Sequence, residues 1–307
     1  MTQKHSGVLL GLACGDALGR PIEFNSREQI REGYGTVTEM KGNGTHRKPA
    51  GTITDDTEQA LCIARSLSEH SELNPEDIAD RFVAWYRIGP FDIGLTTKAA
   101  LQHLADGVPW NEAGKRALKE RGPGSGAGNG SVMRAAPIAA AFADDREQLI
   151  EASKATSRIT HADQRCVAGT VVLNLVIAGY LSGTDDPLAD AIDWIENEAD
   201  SKILVELHDR LKQVRDDPAP DDNLPNGGYV IDTLESALTV ALDAENLEEA
   251  VVRAVNLGGD TDTIGAVAGS VAGARFGAEA VPGRWLDPID KEDELRRLSR
   301  ELAELQS

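Results

Sequence analysis

The stretch LGGDTDTIGAVAGSVAGARFG, residues 257–277, is the most informative part of the sequence. Beyond its opening glycines and acids it is almost continuously small or apolar, which predicts a helix over residues 261–276. Gly265, Gly269 and Gly273 are four residues apart and therefore share one face of that helix. Because a glycine costs about 1 kcal/mol inside a helix, we expect this face to form a groove that another backbone approaches very closely.

Helical patterns also dominate the rest of the chain, whereas alternating strand patterns are scarce. We therefore predict an all-α fold. No long flexible linker interrupts the sequence, so we expect a single domain over residues 1–307. The predicted helices span residues 6–19, 55–70, 75–87, 96–105, 110–120, 131–142, 145–156, 162–181, 187–196, 200–214, 229–243, 245–256, 261–276 and 290–305.

The charge of the chain limits the partners that we expect for it. Its 307 residues include 51 Asp and Glu against 31 Lys and Arg, which gives a formal net charge of −20. Such a surface repels nucleic acid and anionic membranes, so we expect neither as a partner. The same excess of acid favours adaptation to high salt, because halophile proteins carry a large net charge.

The cysteines and the start of the chain predict a cytoplasmic protein, which we take to be a monomer. Cys14, Cys62 and Cys166 form no CxxC pair, which argues against a zinc or redox motif and fits reduced thiols. Residues 8–14 are too short a run for a signal peptide, and Asp16 follows at once. No run approaches the roughly 18 apolar residues that would span a membrane.

Two acidic segments each precede a predicted helix. The first, residues 52–58 (TITDDTE), places two adjacent acids and flanking threonines where a helix begins. Taken alone, it is explained by capping, because Thr and Asp accept backbone N–H bonds there and complement the helix dipole. The second, residues 257–265 (LGGDTDTIG), has four oxygen-bearing side chains in a row, and capping requires only one.

Together these two segments predict a metal site. Both offer carboxylates and hydroxyls, and neither has His or Cys nearby. Oxygen ligands suit the hard cations Mg²⁺, Ca²⁺ and Mn²⁺, and gathered carboxylates repel one another unless cations separate them. The spacing differs from that of an EF-hand loop, whereas a site split between distant segments suits an enzyme with two metals. Helix N-termini disfavour cations, so the carboxylates must outweigh the dipoles.

Five motifs, in order along the chain, resemble those of the ADP-ribosylglycohydrolase family. Residues 11–24 (GLACGDALGRPIEF) are similar to the opening of that family. Residues 54–56 (TDD) resemble its first metal motif and residues 258–263 (GGDTDT) its second. Residues 128–134 (GNGSVMR) and Thr160-His161 are similar to two further landmarks. The resemblance covers nearly the whole chain.

The resemblance implies an orthogonal bundle of helices around a cleft that holds two divalent cations, Mg²⁺ or Mn²⁺. It implies an enzyme that cleaves the bond between C1″ of ADP-ribose and an acceptor, on an ADP-ribosylated protein or a small ADP-ribose conjugate. Glu23, Asp55 and Asp56 would be catalytic, one of them taking a proton from the attacking water, as in glycoside hydrolysis. The implied metal ligands are Thr54, Asp55, Asp56, Asp260, Asp262 and Thr263.

The glycine-rich loop at residues 122–130 (GPGSGAGNG) matches neither a dinucleotide fingerprint nor a P-loop. From its residues alone it is either a flexible connector or a cradle for phosphate next to a helix start. The resemblance favours the diphosphate of ADP-ribose, and it implies that His161 contacts a substrate ribose rather than serving as a structural histidine. The implied binding residues of this loop and its continuation are Gly126, Ala127, Gly128, Asn129, Gly130, Ser131 and Met133.

Asp92, within residues 89–94 (GPFDIG), bears on which acceptor group carries the ADP-ribose in the substrate. By itself it is a turn-forming residue. Its segment resembles the branch of the family that includes dinitrogenase reductase-activating glycohydrolase, in which an Asp faces the substrate and the acceptor is arginine. Because a carboxylate suits a guanidinium, we expect ADP-ribosyl-arginine rather than ADP-ribosyl-serine as the substrate.

Two other functions stay open at the level of the sequence. One is a catalytically inactive relative that binds ADP-ribose or serves a structural role. Such a protein has no need of the complete set of acids. The other is a metal-dependent phosphohydrolase of ADP-ribose-like nucleotides, which would release phosphate instead of ADP-ribose.

Overall fold

The structure, a computed structural model, describes residues 2–122, 125–198 and 203–305. Within these ranges the regular structure is entirely helical, with no strand and only two isolated β-bridges. The predicted all-α fold is therefore confirmed. Residues 123 and 124 of the predicted loop and residues 200–202 of a predicted helix lie outside the described residues. The helices are α1 (Thr2–Gly19), α2 (Arg27–Tyr34), α3 (Asp55–His70), α4 (Pro75–Arg87), α5 (Leu95–Ala105), α6 (Trp110–Arg121), α7 (Ala136–Phe142), α8 (Arg146–Arg158), α9 (Gln164–Ser182), α10 (Pro187–Glu196), α11 (Val205–Asp216), α12 (Val230–Asp243), α13 (Leu247–Val255), α14 (Thr261–Phe276), α15 (Gly283–Leu286) and α16 (Glu292–Glu304).

The structure differs from the predicted helices at several places. The helix predicted over 131–142 is wrong for residues 131–135, which form turns because the backbone N–H groups after Asn129 bond back to its carbonyl. The short helices α2 and α15 were not expected. In α2 only Ile30 is buried, so the helix has no apolar stripe, and its signal is the capping box of Ser26 and Gln29.

The glycine face of α14 packs on a matching glycine face of α1. A Cβ added to Gly11 would lie 2.1 Å from the carbonyl oxygen of Gly269, and one added to Gly15 would lie 1.9 Å from that of Gly265. The two backbones are therefore in direct contact, which confirms the predicted groove. The pairing is antiparallel, so the end of α1 lies beside the start of α14.

This helix pair forms the centre of the bundle. Helices α9, α12 and α13 pack against α14, whereas α3, α7 and α16 pack against α1. Helix α3 also contacts the start of α14 through their first turns. The packing thus brings three helix ends together: the end of α1, the start of α3 and the start of α14.

One helix corrects an expectation about membranes. Among the described residues, α9 has the length and apolar composition of a membrane-spanning helix. From the sequence, no apolar run of that length was expected. In the structure it is a core helix, with 72% of its most apolar window buried inside the protein. Buried core helices commonly pass this test, so the finding is weak support for a membrane span.

Candidate active site

The start of α3 forms the first wall of the site. Oγ1 of Thr54 accepts a hydrogen bond from the backbone N–H of Asp56 at 3.3 Å and donates one to Oδ2 of Asp56 at 3.2 Å. Asp55 and Asp56 are 6% and 1% exposed. The segment is therefore a helix cap and also a buried pair of carboxylates, and the two interpretations from sequence are compatible.

Asp16, in α1, holds this wall in place. Its two carboxylate oxygens accept the backbone N–H of Thr54 at 3.0 Å, and Oδ2 also accepts the N–H and the hydroxyl of Thr57. Burial raises the pKa of Asp16 to about 6. No role was predicted for this residue. The available signal is a lone acid inside an otherwise small and apolar helix.

Arg20 follows α1 and organises the loop that leads into α3. It is completely buried, and its guanidinium donates hydrogen bonds to backbone carbonyls at distances from 2.9 to 3.5 Å. One planar group thereby fixes a long irregular segment, as the five donors of Arg allow. The sequence shows no spacing that reveals this role. The carbonyls belong to Lys41, Asn43, Lys48, Pro49 and Thr52.

The second wall is the start of α14 with the loop after α1. Gly259 has a φ of +71° and pairs with this loop: it accepts from the N–H of Phe24 at 2.7 Å and donates to the carbonyl of Asn25 at 2.8 Å. Thr263 donates to Oδ2 of Asp56 at 3.5 Å, across 207 residues of sequence. The two distant acidic segments therefore meet, as predicted.

The residues at this junction fit hard divalent cations. Oδ1 of Asp56 is buried and has no hydrogen-bond partner among the described residues. Glu23, Asp260 and Asp262 each place a carboxylate oxygen within 4.8 Å of the others. Burial, and then repulsion among neighbouring carboxylates, raises the pKa of Asp55, Asp56 and Asp262 well above the usual range. Cations relieve both the unpaired acceptor and the repulsion.

Glu23 lies between these carboxylates and a histidine. Its Oε2 is 2.5 Å from Nε2 of His46, and the same nitrogen lies 3.7 Å from Oδ2 of Asp92. Burial, followed by repulsion from Asp92, Asp260 and Asp55, raises the pKa of Glu23 to about 9. The His46 ring packs on Phe91 with 5.3 Å between ring centres. His46 carries no signal in the sequence, and only the fold brings it to the site.

The site opens into a cavity of 630 Å³, which suits a nucleotide-sized ligand. Three predicted residues do not line it. Each of them is turned toward other residues. The Thr54 hydroxyl is hydrogen-bonded to Asp56, Gly126 packs on the side chain of Leu118, and the Ser131 hydroxyl accepts a hydrogen bond from Thr170. The predicted residues that line it are Glu23, Asp55, Asp56, Asp92, Ala127, Gly128, Asn129, Gly130, Met133, His161, Asp260, Asp262 and Thr263.

A second cavity of 540 Å³ lies on another side of α3. Its walls include Trp85, whose Nε1 donates to Oε2 of Glu58 at 2.6 Å. None of the predicted site residues lines it. The chemistry expected from the sequence therefore belongs to the first cavity.

The glycine-rich loop is tied to the acidic cluster. The N–H of Asn129 donates to the carbonyl of Gly228 at 3.1 Å, and the N–H of Val230 donates to the carbonyl of Ala127 at 3.0 Å. Nδ2 of Asn129 donates to Oδ2 of Asp260 at 2.7 Å. The described part of this loop is therefore a fixed wall of the cavity rather than a free connector.

His161 forms part of the same wall. It is 2% exposed, and its Nδ1 lies 2.7 Å from Oγ1 of Thr160. A Cβ on Gly130 would lie 2.7 Å from Cε1 of the imidazole, so only glycine fits there. Burial, and then the nearby Arg134, lowers the pKa of His161 to about 3, which leaves the ring neutral.

Comparison with known proteins decides the family. The sequence model of the ADP-ribosylglycohydrolases matches residues 2–307. The chain belongs to the ADP-ribosylglycohydrolase family. It is 30% identical to ADP-ribosylarginine hydrolase Tri1 of Serratia proteamaculans (strain 568), over 97% of this chain and 78% of that protein. It is 32% identical to ADP-ribosyl-dinitrogen reductase glycohydrolase of Rhodospirillum rubrum, over 95% and 92% respectively.

A solved structure agrees with this membership. It is described as an ADP-ribosylglycohydrolase-related protein complex and superimposes with a TM-score of 0.82 at 35% identity, covering 100% of this chain and 99% of that one. The helical bundle is thus the ADP-ribosylglycohydrolase fold. The fold, the family model and the named relatives together identify the protein as an enzyme, an ADP-ribosyl hydrolase.

Proposed function

We propose that the enzyme depends on Mg²⁺ or Mn²⁺ and releases ADP-ribose from arginine side chains of modified proteins. The choice of arginine as the acceptor rests on the position of Asp92. Its carboxylate lines the same cavity as the clustered acids and lies beside Glu23 and His46. A carboxylate there suits a guanidinium. The relative named as an ADP-ribosylarginine hydrolase supports the same acceptor.

The metals would be held by the two acidic segments. Asp55, Asp56, Asp260, Asp262 and Thr263, which line the cavity, would supply oxygen ligands, and Thr54 would stand behind them through its hydrogen bond to Asp56. The unpaired Oδ1 of Asp56 favours a cation there. When bound, the cations neutralise the cluster and orient the ribose hydroxyls of the substrate.

The carboxylates of the chain perform the proton transfer. One of Glu23, Asp55 and Asp56 accepts a proton from the attacking water. The remaining negative charge in the cavity stabilises the oxocarbenium character that develops at C1″ as the bond to the acceptor nitrogen breaks. The water oxygen bonds to C1″, and the proton taken from the water passes to the departing nitrogen. Because these groups are buried and positioned by Asp16 and Arg20, they need little rearrangement during the reaction.

The direct test is release of ADP-ribose from two model proteins, one modified on arginine and one on serine. We expect release from the arginine-linked substrate, dependent on added Mg²⁺ or Mn²⁺ and lost with a chelator. Release only from the serine-linked substrate would contradict the acceptor. Phosphate without ADP-ribose would identify a phosphohydrolase instead.

Asp92→Asn tests the acceptor pocket. Because hydrogen bonds to charged groups contribute about 1.5–3 kcal/mol, we expect kcat/KM for arginine-linked substrate to fall roughly tenfold to a hundredfold. Metal affinity, measured by calorimetric titration with Mn²⁺, should change much less. The matched control is Asp106→Asn, at the exposed end of α5. Equal loss with a substrate that lacks a guanidinium would contradict a role in acceptor binding.

The stability of the metal-free protein should depend on pH in an unusual direction. In the folded protein burial raises the pKa of Glu23 to about 9, far above the ordinary value of 4.5 for Glu, and burial also raises the pKa of Asp55, Asp56 and Asp262 well above the usual range. Between these values the folded state binds more protons than the unfolded state, so the free energy of unfolding falls as pH rises. Metal binding removes this repulsion.

We therefore expect Mg²⁺ to raise the melting temperature more at pH 8 than at pH 5. The measurement is thermal unfolding followed by circular dichroism, with Mg²⁺ or with a chelator, at several pH values. A shift in melting temperature that is the same at every pH would contradict the clustering of protonated carboxylates.

A further inference from the structure

A buried chain of hydrogen bonds runs behind the cavity, from Asp55 through Gln59, Arg134 and Thr160 to His161. Nε2 of Gln59 donates to Oδ2 of Asp55 at 3.2 Å. Arg134 donates to Oε1 of Gln59 and, at 2.7 Å, to Oγ1 of Thr160. Oγ1 of Thr160 is 2.7 Å from Nδ1 of His161. Gln59, Arg134 and Thr160 are almost completely buried and do not line the cavity, so no solvent can replace a missing partner there.

The direction of each bond is determined by Arg134. A guanidinium has only donors, so Oγ1 of Thr160 must accept from it. The hydroxyl hydrogen of Thr160 then has one acceptor in reach among the described residues, which is Nδ1 of His161. A proton on Nδ1 would leave that buried hydroxyl without an acceptor. The position of Arg134 is itself held by the ring of Phe82, 4.5 Å from the guanidinium carbon.

The proton of the neutral imidazole therefore resides on Nε2. Among the residues that the structure describes, none accepts a hydrogen bond from this atom, although the ring lines the cavity. The Cε1–Nε2 edge faces Gly130, where a Cβ would come within 3.0 Å of Nε2. This N–H group borders the cavity and is therefore available to donate to an oxygen of a bound ligand.

We propose that Arg134 and Thr160 are positioning residues that hold His161 as the Nε2–H tautomer, so that it donates a hydrogen bond to an oxygen of the ADP-ribosyl group. The ligand in this statement rests on the proposed function, whereas the tautomer rests on the hydrogen bonds alone. The same guanidinium orients Gln59 toward Asp55. Arg134 thus braces the metal side and the substrate side of the cavity together.

The tautomer is measurable without substrate or metal. In long-range ¹H–¹⁵N spectra of protein labelled at histidine, we expect a pyridine-type nitrogen at Nδ1 of His161 and a pyrrole-type nitrogen at Nε2. The variant His161→Gln assigns these signals by their loss. A pyrrole-type Nδ1 or a doubly protonated ring at His161 in the unaltered protein would overturn the proposal.

Two variants of Thr160 test the positioning role. Thr160→Val removes the hydroxyl and should move His161 toward the other tautomer. It should also raise the Kd for ADP-ribose about tenfold, as expected for one lost hydrogen bond, with Mn²⁺ affinity unchanged. Thr160→Ser keeps the hydroxyl and should restore both the spectrum and the affinity. An unchanged tautomer in the valine variant, or no rescue by serine, would overturn the proposal. If the expected tautomer is found but no ADP-ribose is released from any substrate, the proposed function fails and the assignment of the proton stands.

Discussion

Asp56→Asn is expected to abolish binding of divalent cations and to lower kcat/KM by about 10³-fold, while the metal-free protein becomes more stable. Loss of one fixed electrostatic group in an active site commonly lowers rates by about 10²–10³-fold, and loss of the cations adds to this. Asp56 has the central position among the proposed ligands: Oδ2 contacts Thr54 and Thr263, and Oδ1 is buried without a partner among the described residues.

The gain in stability has a separate physical cause. Burial and neighbouring carboxylates raise the pKa of Asp56 well above the usual range, so its charged form is unfavourable when no cation is bound. An amide has the same shape without the charge, and its NH₂ group can donate to the remaining carboxylates.

Calorimetric titration with Mn²⁺, turnover on arginine-linked substrate and thermal unfolding with a chelator measure the three effects of Asp56→Asn. Asp222→Asn, an exposed acid, is the matched control and should leave all three unchanged. Metal-stimulated turnover in Asp56→Asn would refute the ligand assignment. A fall in the melting temperature of the metal-free variant would refute the repulsion argument.

Gly15→Ala is expected to destabilise the protein by about 3 kcal/mol, the upper end for overpacking of a core. The added Cβ would lie 1.9 Å from the carbonyl oxygen of Gly265, and neither backbone can move without separating α1 from α14. Asp16 is the next residue and holds the start of α3. Activity should therefore fall further than the loss of folded protein explains, because the two acidic segments would no longer meet correctly.

Gly33→Ala provides the control for the same substitution. Gly33 lies in helix α2 with nothing within 4 Å of the position of an added Cβ. Alanine there should stabilise the protein by up to about 1 kcal/mol through helix propensity. Urea unfolding of both variants measures the difference. If the two substitutions had similar effects, the contact between the α1 and α14 backbones would not be the reason that position 15 requires glycine.

The fold class and the groove on α14 were predictable because both arise from local spacing. Glycines four residues apart share a helix face whatever the rest of the chain does, and a repeated cost in helix stability indicates close packing. The same holds for the oxygen-bearing side chains at residues 260–263, which are more than a helix cap needs; residues 54–56 gain significance only together with them. In contrast, α2 was not predicted because one buried side chain, Ile30, produces no periodic pattern.

The amino-acid pattern alone therefore predicted an all-helical chain, two oxygen-rich segments and a helix face that another backbone approaches closely. Only the folded chain showed the cavity into which these segments open, the α1 backbone that packs on the glycine face, and the support that Asp16, Arg20 and His46 give to the site. The reason is physical: the supporting residues act through hydrogen bonds to groups that are distant in sequence and irregular in structure. Such bonds have no period, and their partners become neighbours only when α1 packs against α14 and α3.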